Sequence, residues 1–131
     1  MTTKLIQNRW VKYSLPSWLY AIMIFIFSSV PHLSLPPIAG HWTDKLVHFI
    51  EYAIFGWLLA RSFRHSASVD FQKNFLVFAV ITGTLYGLLD ECHQLFVPGR
   101  LFTLSDLSAD FIGSFLGAFI YRRQNKSFNL S

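Results

Sequence analysis

Two stretches of the chain hold residues whose types and spacing could do chemistry. Residues 44–52 (DKLVHFIEY) carry Asp44, Lys45, His48, Glu51 and Tyr52. Residues 90–110 (DECHQLFVPGRLFTLSDLSAD) carry Asp90, Glu91, His93, Gln94, Arg100, Asp106 and Asp110. Carboxylates beside an imidazole can act as general acids and bases or hold a hard or borderline divalent metal. An arginine with free donors can clamp a phosphate or carboxylate through two parallel hydrogen bonds. Asp44, His48 and Glu51 or Tyr52 recur at three- and four-residue spacing, so a helix would place them on one face. In the second stretch, Tyr86, Asp90 and His93 would share one face, and Gly87, Glu91 and Gln94 an adjacent one.

The elements that must position these groups are very apolar. Hydrophobic residues make up 53% of the 131 residues and charged ones 14%, against about 25% charged in soluble domains. The mean hydropathy is +0.40. We therefore expect an all-α, four-helix transmembrane bundle forming one domain over residues 1–131. Its spans are expected at about 15–30, 44–63, 74–96 and 103–121, long enough at 1.5 Å per residue to cross about 30 Å of hydrocarbon. The first apolar run follows a basic lead but has no small-residue cleavage site, so it reads as a retained helix rather than a signal peptide. Ionisable residues in such segments are costly to bury and mark function by default.

Charge position sets the topology. Nine of the 11 Lys and Arg fall before the first span, between the second and third, or after the last. By the positive-inside rule both termini are then cytoplasmic. The Pro-rich loop of residues 31–43 and the tight turn at Pro98-Gly99 fall outside. Six of the seven acidic residues converge at the outer side, all except Asp70. The net charge of +4 thus reports orientation, not nucleic-acid binding. The last eight residues read as a frayed polar tail. Cys92 is the only cysteine, which excludes an intrachain disulfide and a Cys-based zinc site.

Each group also has a plainer explanation. Asp44 follows Thr43 and suits a helix start, and Lys45 can snorkel to the interface. His48 can be a hydrogen-bonded interior histidine, and one inward acid of Asp90 and Glu91 can pair with Arg100. Thr103 and Asp106 have capping spacing. Asp110 has no such explanation. Gly113 and Gly117 follow it at the spacing of a helix contact, so Asp110 should face the interior near Glu91 or His48. Without an HExxH motif or a cysteine cluster, a metal is weakly signalled and none is assigned. No Gly-rich phosphate loop or nucleophile elbow appears, and no cofactor is called for.

Three motifs at these positions resemble the VanZ-like family of small membrane proteins. They are DKxxHFxxY from Asp44 to Tyr52, ExxQxFxPGR from Glu91 to Arg100, and DxxxDxxG from Asp106 to Gly113. The FSSxP of residues 27–31 resembles the end of that family's first span. The chain departs from the pattern at Asp110, where asparagine is usual. The resemblance implies a four-helix membrane protein connected with low-level resistance to the glycopeptide teicoplanin, and brings no established reaction with it.

Three functions stay open. The first is a multi-pass protein of the cell membrane whose outward pocket binds a lipid-linked or anionic envelope component, with an effect on glycopeptide susceptibility. Its contacts would be Asp44, Lys45, His48, Tyr52, Glu91, Gln94, Arg100, Asp106 and Asp110. The second is a membrane-surface enzyme acting on a lipid phosphate or glycan, with His48 or Glu91 as acid and base. The third is a proton-coupled transporter subunit, which would require a homo-oligomer. The partners expected are the bilayer and a lipid-linked precursor.

Overall fold

A computed structural model describes residues 2–31 and 41–128; most of the expected Pro-rich loop lies outside the described residues. It is all-helical, with no strand among the described residues. Six helices follow in order: α1 (Thr2–Tyr13), α2 (Leu15–Ser28), α3 (His41–Arg64), α4 (Val69–Lys73), α5 (Phe75–Gln94) and α6 (Leu104–Phe128).

The basic lead is α1, and it nearly continues into α2. Ser14 between them keeps a right-handed helical conformation, and its N–H donates to Trp10 O at 2.8 Å. The break comes from Pro16, which has no N–H for Lys12 O and is tolerated only in a first turn. α2 ends as the Ser29 hydroxyl donates to Phe25 O at 2.7 Å, two residues before Pro31. α3 carries Asp44 in its first turn and Arg61 and Arg64 in its last, matching the helix dipole at both ends. Between α5 and α6 the Arg100 N–H donates to Val97 O at 3.1 Å. Pro98 and Gly99 occupy the central positions of that turn, and the Gly99 φ of 81° is the left-handed value that the third position of a type II turn requires. Thr103 caps α6, its Oγ1 accepting from the Asp106 N–H at 3.2 Å.

Among the described residues, two helices are long and apolar enough to cross a membrane, residues 42–64 and α5. Four crossings were expected. α2 has only 14 residues, about 21 Å of helix, and α6 is diluted by Asp106, Asp110, Arg122, Arg123 and Lys126. The tail expected to fray is largely helical as far as Phe128. Trp57 Nε1 donates to Gln124 Oε1 at 2.9 Å, and Asn125 Nδ2 to Tyr121 O at 3.0 Å. These bonds tie the polar end of α6 to α3 and to its own preceding turn.

α6 lies between α3 and α5, and small residues set both distances. Gly113 faces Phe49 O and Gly117 faces Ala53 O, while Gly56 of α3 faces the Ser114 backbone. On its other side α6 turns Asp110 and Ser114 toward Gly87 and Gly83 of α5. The buried apolar residues include Ile24, Tyr52, Phe55, Leu59 and Tyr121. The buried polar set is as numerous: Ser17, Ser28, His48, Asp90, Glu91, Gln94, Asp106, Asp110 and Ser114. Outside, Trp18, Ile22, Phe25, Ile50, Ile54, Ile81, Leu85, Phe111 and Phe115 are all exposed. Large apolar groups thus cover the outside, while the interior is half polar.

Candidate functional site

The interior polar groups meet at the end of the molecule where α3 and α6 begin and α5 ends. His48 is 5% exposed, and Glu91 and Asp110 are fully buried. His48 Nδ1 and Asp110 Oδ1 are hydrogen-bonded at 3.0 Å, and Nδ1 lies 3.9 Å from Glu91 Oε1. Glu91 Oε2 accepts the Thr103 N–H at 3.2 Å, so the loop before α6 fixes that carboxylate. Gly87 makes room for Asp110: a Cβ there would stand 2.8 Å from Asp110 Oδ2. The close packing of α5 on α6 thus brings Asp110 inward.

One step outward, Lys45 Nζ donates to Asp106 Oδ1 at 3.1 Å and Ser105 Oγ at 2.7 Å. Lys45 therefore joins α3 to α6 instead of reaching freely into the interface. A cavity of about 290 Å³ opens between α2, α3, α5 and the turn after α5. Asp44, His48, Glu51, Asp90, Gln94 and Arg100 line it with Ser28, Ile24, Phe27 and Val47. Gln94 Nε2 donates to Ser28 Oγ at 3.1 Å and to Asp90 Oδ2 at 3.4 Å. Ser29 Oγ and His93 Nε2, 3.0 Å apart, add a second link between α2 and α5.

Arg100 differs from Lys45, the other long cation at this end, which is paired with Asp106. Its Nη2 reaches only Phe27 O, at 3.5 Å, and its buried Nε has no partner. The expected pairing with one of Asp90 and Glu91 is absent; among the described residues no carboxylate lies within 4 Å of the guanidinium. Tyr52 is fully buried, and its hydroxyl is unpartnered.

The VanZ/LLP1 family model matches residues 2–125. The chain belongs to that family. No curated protein and no solved structure matches significantly. Membership bears out the resemblance seen in the motifs, and the geometry now gives each VanZ/LLP1 motif a place. The first supplies Asp44, Lys45, His48 and Tyr52 from α3. The second supplies Glu91 and Gln94 from α5 and Arg100 from the turn, and the third supplies Asp106 and Asp110 from α6. His48, Glu91 and Asp110 form one group, Lys45 and Asp106 another, and Gln94 and Arg100 line the cavity, bonded instead to Ser28, Asp90 and Phe27 O.

Sequence reasoning assigned no ligand-binding role to Ser28, Glu51 or Asp90, all of which line the cavity. Ser28 had a signal in the FSSxP motif, but its facing α5 depends on how α2 packs. Asp90 and Glu91 are adjacent, and both are buried. Asp90 turns toward α2, and Glu91 toward α3 and α6.

Proposed function

We propose that this chain is one domain of four membrane helices, α2, α3, α5 and α6, in a multi-pass protein of the cell membrane. Both ends face the cytoplasm, and the cavity opens to the outer surface. There it binds the anionic headgroup of a lipid-linked envelope component. The outward apolar surface supports the membrane setting, since lipid covers what water would reject. Lys4, Arg9, Lys12, Arg61, Arg64, Lys73 and the basic residues after Tyr121 support the orientation.

One observation carries the binding reading. Arg100 is a guanidinium without a carboxylate partner at the edge of a cavity with a mixed apolar and polar lining. The guanidinium is held only by that 3.5 Å contact to Phe27 O and can turn to make a bidentate contact with a phosphate, and the exposed Phe27 and Val47 offer a surface to the adjoining hydrocarbon. Binding of a polyprenyl phosphate to the protein in lipid nanodiscs tests this. Arg100→Ala should lose the binding without lowering membrane abundance, and Arg100→Lys should recover only part of it. Undiminished binding by Arg100→Ala would sink the proposal. Occupation of an envelope precursor would also alter glycopeptide susceptibility, which inhibitory concentrations in an expressing strain would show.

The His48–Asp110 hydrogen bond favours a second reading, a membrane-surface hydrolase. A carboxylate on Nδ1 orients the ring and leaves Nε2 able to take a proton. Turnover of a labelled lipid phosphate, lost in His48→Gln, would select this reading; no turnover by active-folded protein would remove it.

A further inference from the structure

Beneath the cavity, two fully buried carboxylates share a single histidine. The donor atoms of His48, Glu91 and Asp110 all lie within 4.8 Å of one another. The two measured separations from His48 Nδ1 are 3.0 Å to Asp110 Oδ1 and 3.9 Å to Glu91 Oε1. Tetrahedral zinc with bonds of about 2.0–2.2 Å places its donors roughly 3.3–3.6 Å apart, so small side-chain shifts would close the shell. One imidazole and two carboxylates also suit a borderline first-row divalent ion.

The second observation is independent of the clustering. Glu91 Oε1 and Asp110 Oδ2 are buried and accept no hydrogen bond. A buried acceptor without a partner is costly, and a buried charge more so. The nearby lysine and arginine do not relieve them: Lys45 is taken by Asp106, Arg100 has no carboxylate within 4 Å among the described residues, and the basic group that approaches both acids is the one His48. Meanwhile the Thr103 N–H holds Glu91 by its other oxygen, as outer-shell donors orient metal-ligating carboxylates.

We propose that His48, Glu91 and Asp110 bind one divalent cation of the zinc or manganese class. The ion takes the place of the proton shared by His48 and Asp110 and engages the orphaned oxygen of Glu91. Its remaining position faces the cavity side, since His48 also lines that cavity. This goes beyond the headgroup reading and does not need it, because the ion binds with no lipid present. A filled site would, however, add positive charge near Arg100.

The test uses the full chain, tag-free, in detergent micelles, stripped by a chelator and given Zn²⁺, Mn²⁺ or Co²⁺ alone. Elemental analysis after gel filtration should find one ion per chain, and Co²⁺ should give the intense visible bands of a low-coordinate site. Glu91→Gln and Asp110→Asn should each weaken binding at least tenfold, while Asp70→Asn, on the exposed surface of α4, changes nothing. Less than a tenth of an equivalent in the wild type overturns the proposal. So does unchanged affinity in both variants, or a loss that follows Asp44→Asn, since Asp44, His48 and Asp106 form the neighbouring cluster. If both variants fail to fold, wild-type stoichiometry and the Co²⁺ spectrum decide alone: a featureless spectrum with no retained ion refutes the site.

Discussion

Replacing Gly117 with alanine tests the fold where it has least freedom. A Cβ at Gly117 would press on Ala53 O and stand 2.8 Å from Ala53 C and 2.9 Å from Trp57 N. Comfortable carbon contacts are about 3.5–4.0 Å, so the shortfall for those two atoms is roughly 0.6–0.7 Å. All three atoms belong to the α3 backbone, and no side chain can rotate aside. The helices must part, which also loosens Gly113 on Phe49 and Gly56 on Ser114. Overpacking of this kind costs about 1–3 kcal/mol. With a rigid backbone opposite, we expect the upper part, about 2–3 kcal/mol, or roughly 30- to 150-fold in the unfolding equilibrium. Unfolding in mixed micelles of rising dodecyl sulfate, followed by tryptophan fluorescence, measures it. Gly87→Ala is the comparison, because the three atoms nearest its Cβ would all belong to the Asp110 side chain, at 2.8–3.2 Å. That carboxylate can turn, so Gly87→Ala should cost less stability while pulling Asp110 away from His48. If Gly117→Ala stays within about 0.5 kcal/mol of wild type, or Gly87→Ala costs as much as Gly117→Ala, the packing argument is wrong.

Thr103→Val removes the oxygen that caps α6 and should cost about 0.5–2 kcal/mol in the same titration, whereas Thr103→Ser should cost little; equal losses would discard the capping role. His65 lies at the opposite end, stacked on Tyr13 with ring centroids 3.8 Å apart. Burial, then the charges of Arg61, Arg64 and Arg9, hold its pKa below the ordinary 6.5, against the pull of its hydrogen bond to Arg61 O. Its depressed folded-state pKa means that its contribution to stability is full above pH 6.5 and fades as pH falls below it. An NMR titration should find a low midpoint that Tyr13→Ala moves back toward 6.5; an unmoved midpoint would reject burial as the cause. With Cys92 replaced by serine, a single cysteine at Phe102 should react in intact cells with a membrane-impermeant reagent, and one at Ser68 should not. The reverse pattern would put the cavity on the cytoplasmic side and end the envelope-headgroup reading.

Much of the site was legible because it depends on local spacing. His48 sits four residues after Asp44, so α3 had to carry both on one side. The Pro98-Gly99 pair required a tight turn, and Gly99 adopts the φ that such a turn needs. The pull of Asp110 toward His48 followed from the glycines near it, because a helix approached that closely is not facing lipid. Arg100 was not legible. Its pairing depends on where a turn carries a long side chain, and that turn leaves it beside Phe27 O rather than beside Glu91. The register of α2 was equally hidden, so Ser28 and Asp90 were not foreseen as partners in one wall.

The glycines and the buried acids have a common cause. In a soluble helical domain, burying apolar side chains supplies most of the stability and tolerates some space between helices. Here many large apolar side chains point outward, and lipid would cover those whether or not the helices associate, so a small apolar core shares association with backbone contact and polar pairs. Gly113 and Gly117 permit the contact, and His48–Asp110 and Lys45–Asp106 supply the pairs across the same α3–α6 seam. One seam therefore holds both the close helix contact and, on the proposed reading, the chemistry of the site. A change in His48 or Asp110 should alter stability together with any binding at the site, whereas Arg100, outside the seam, should alter binding alone.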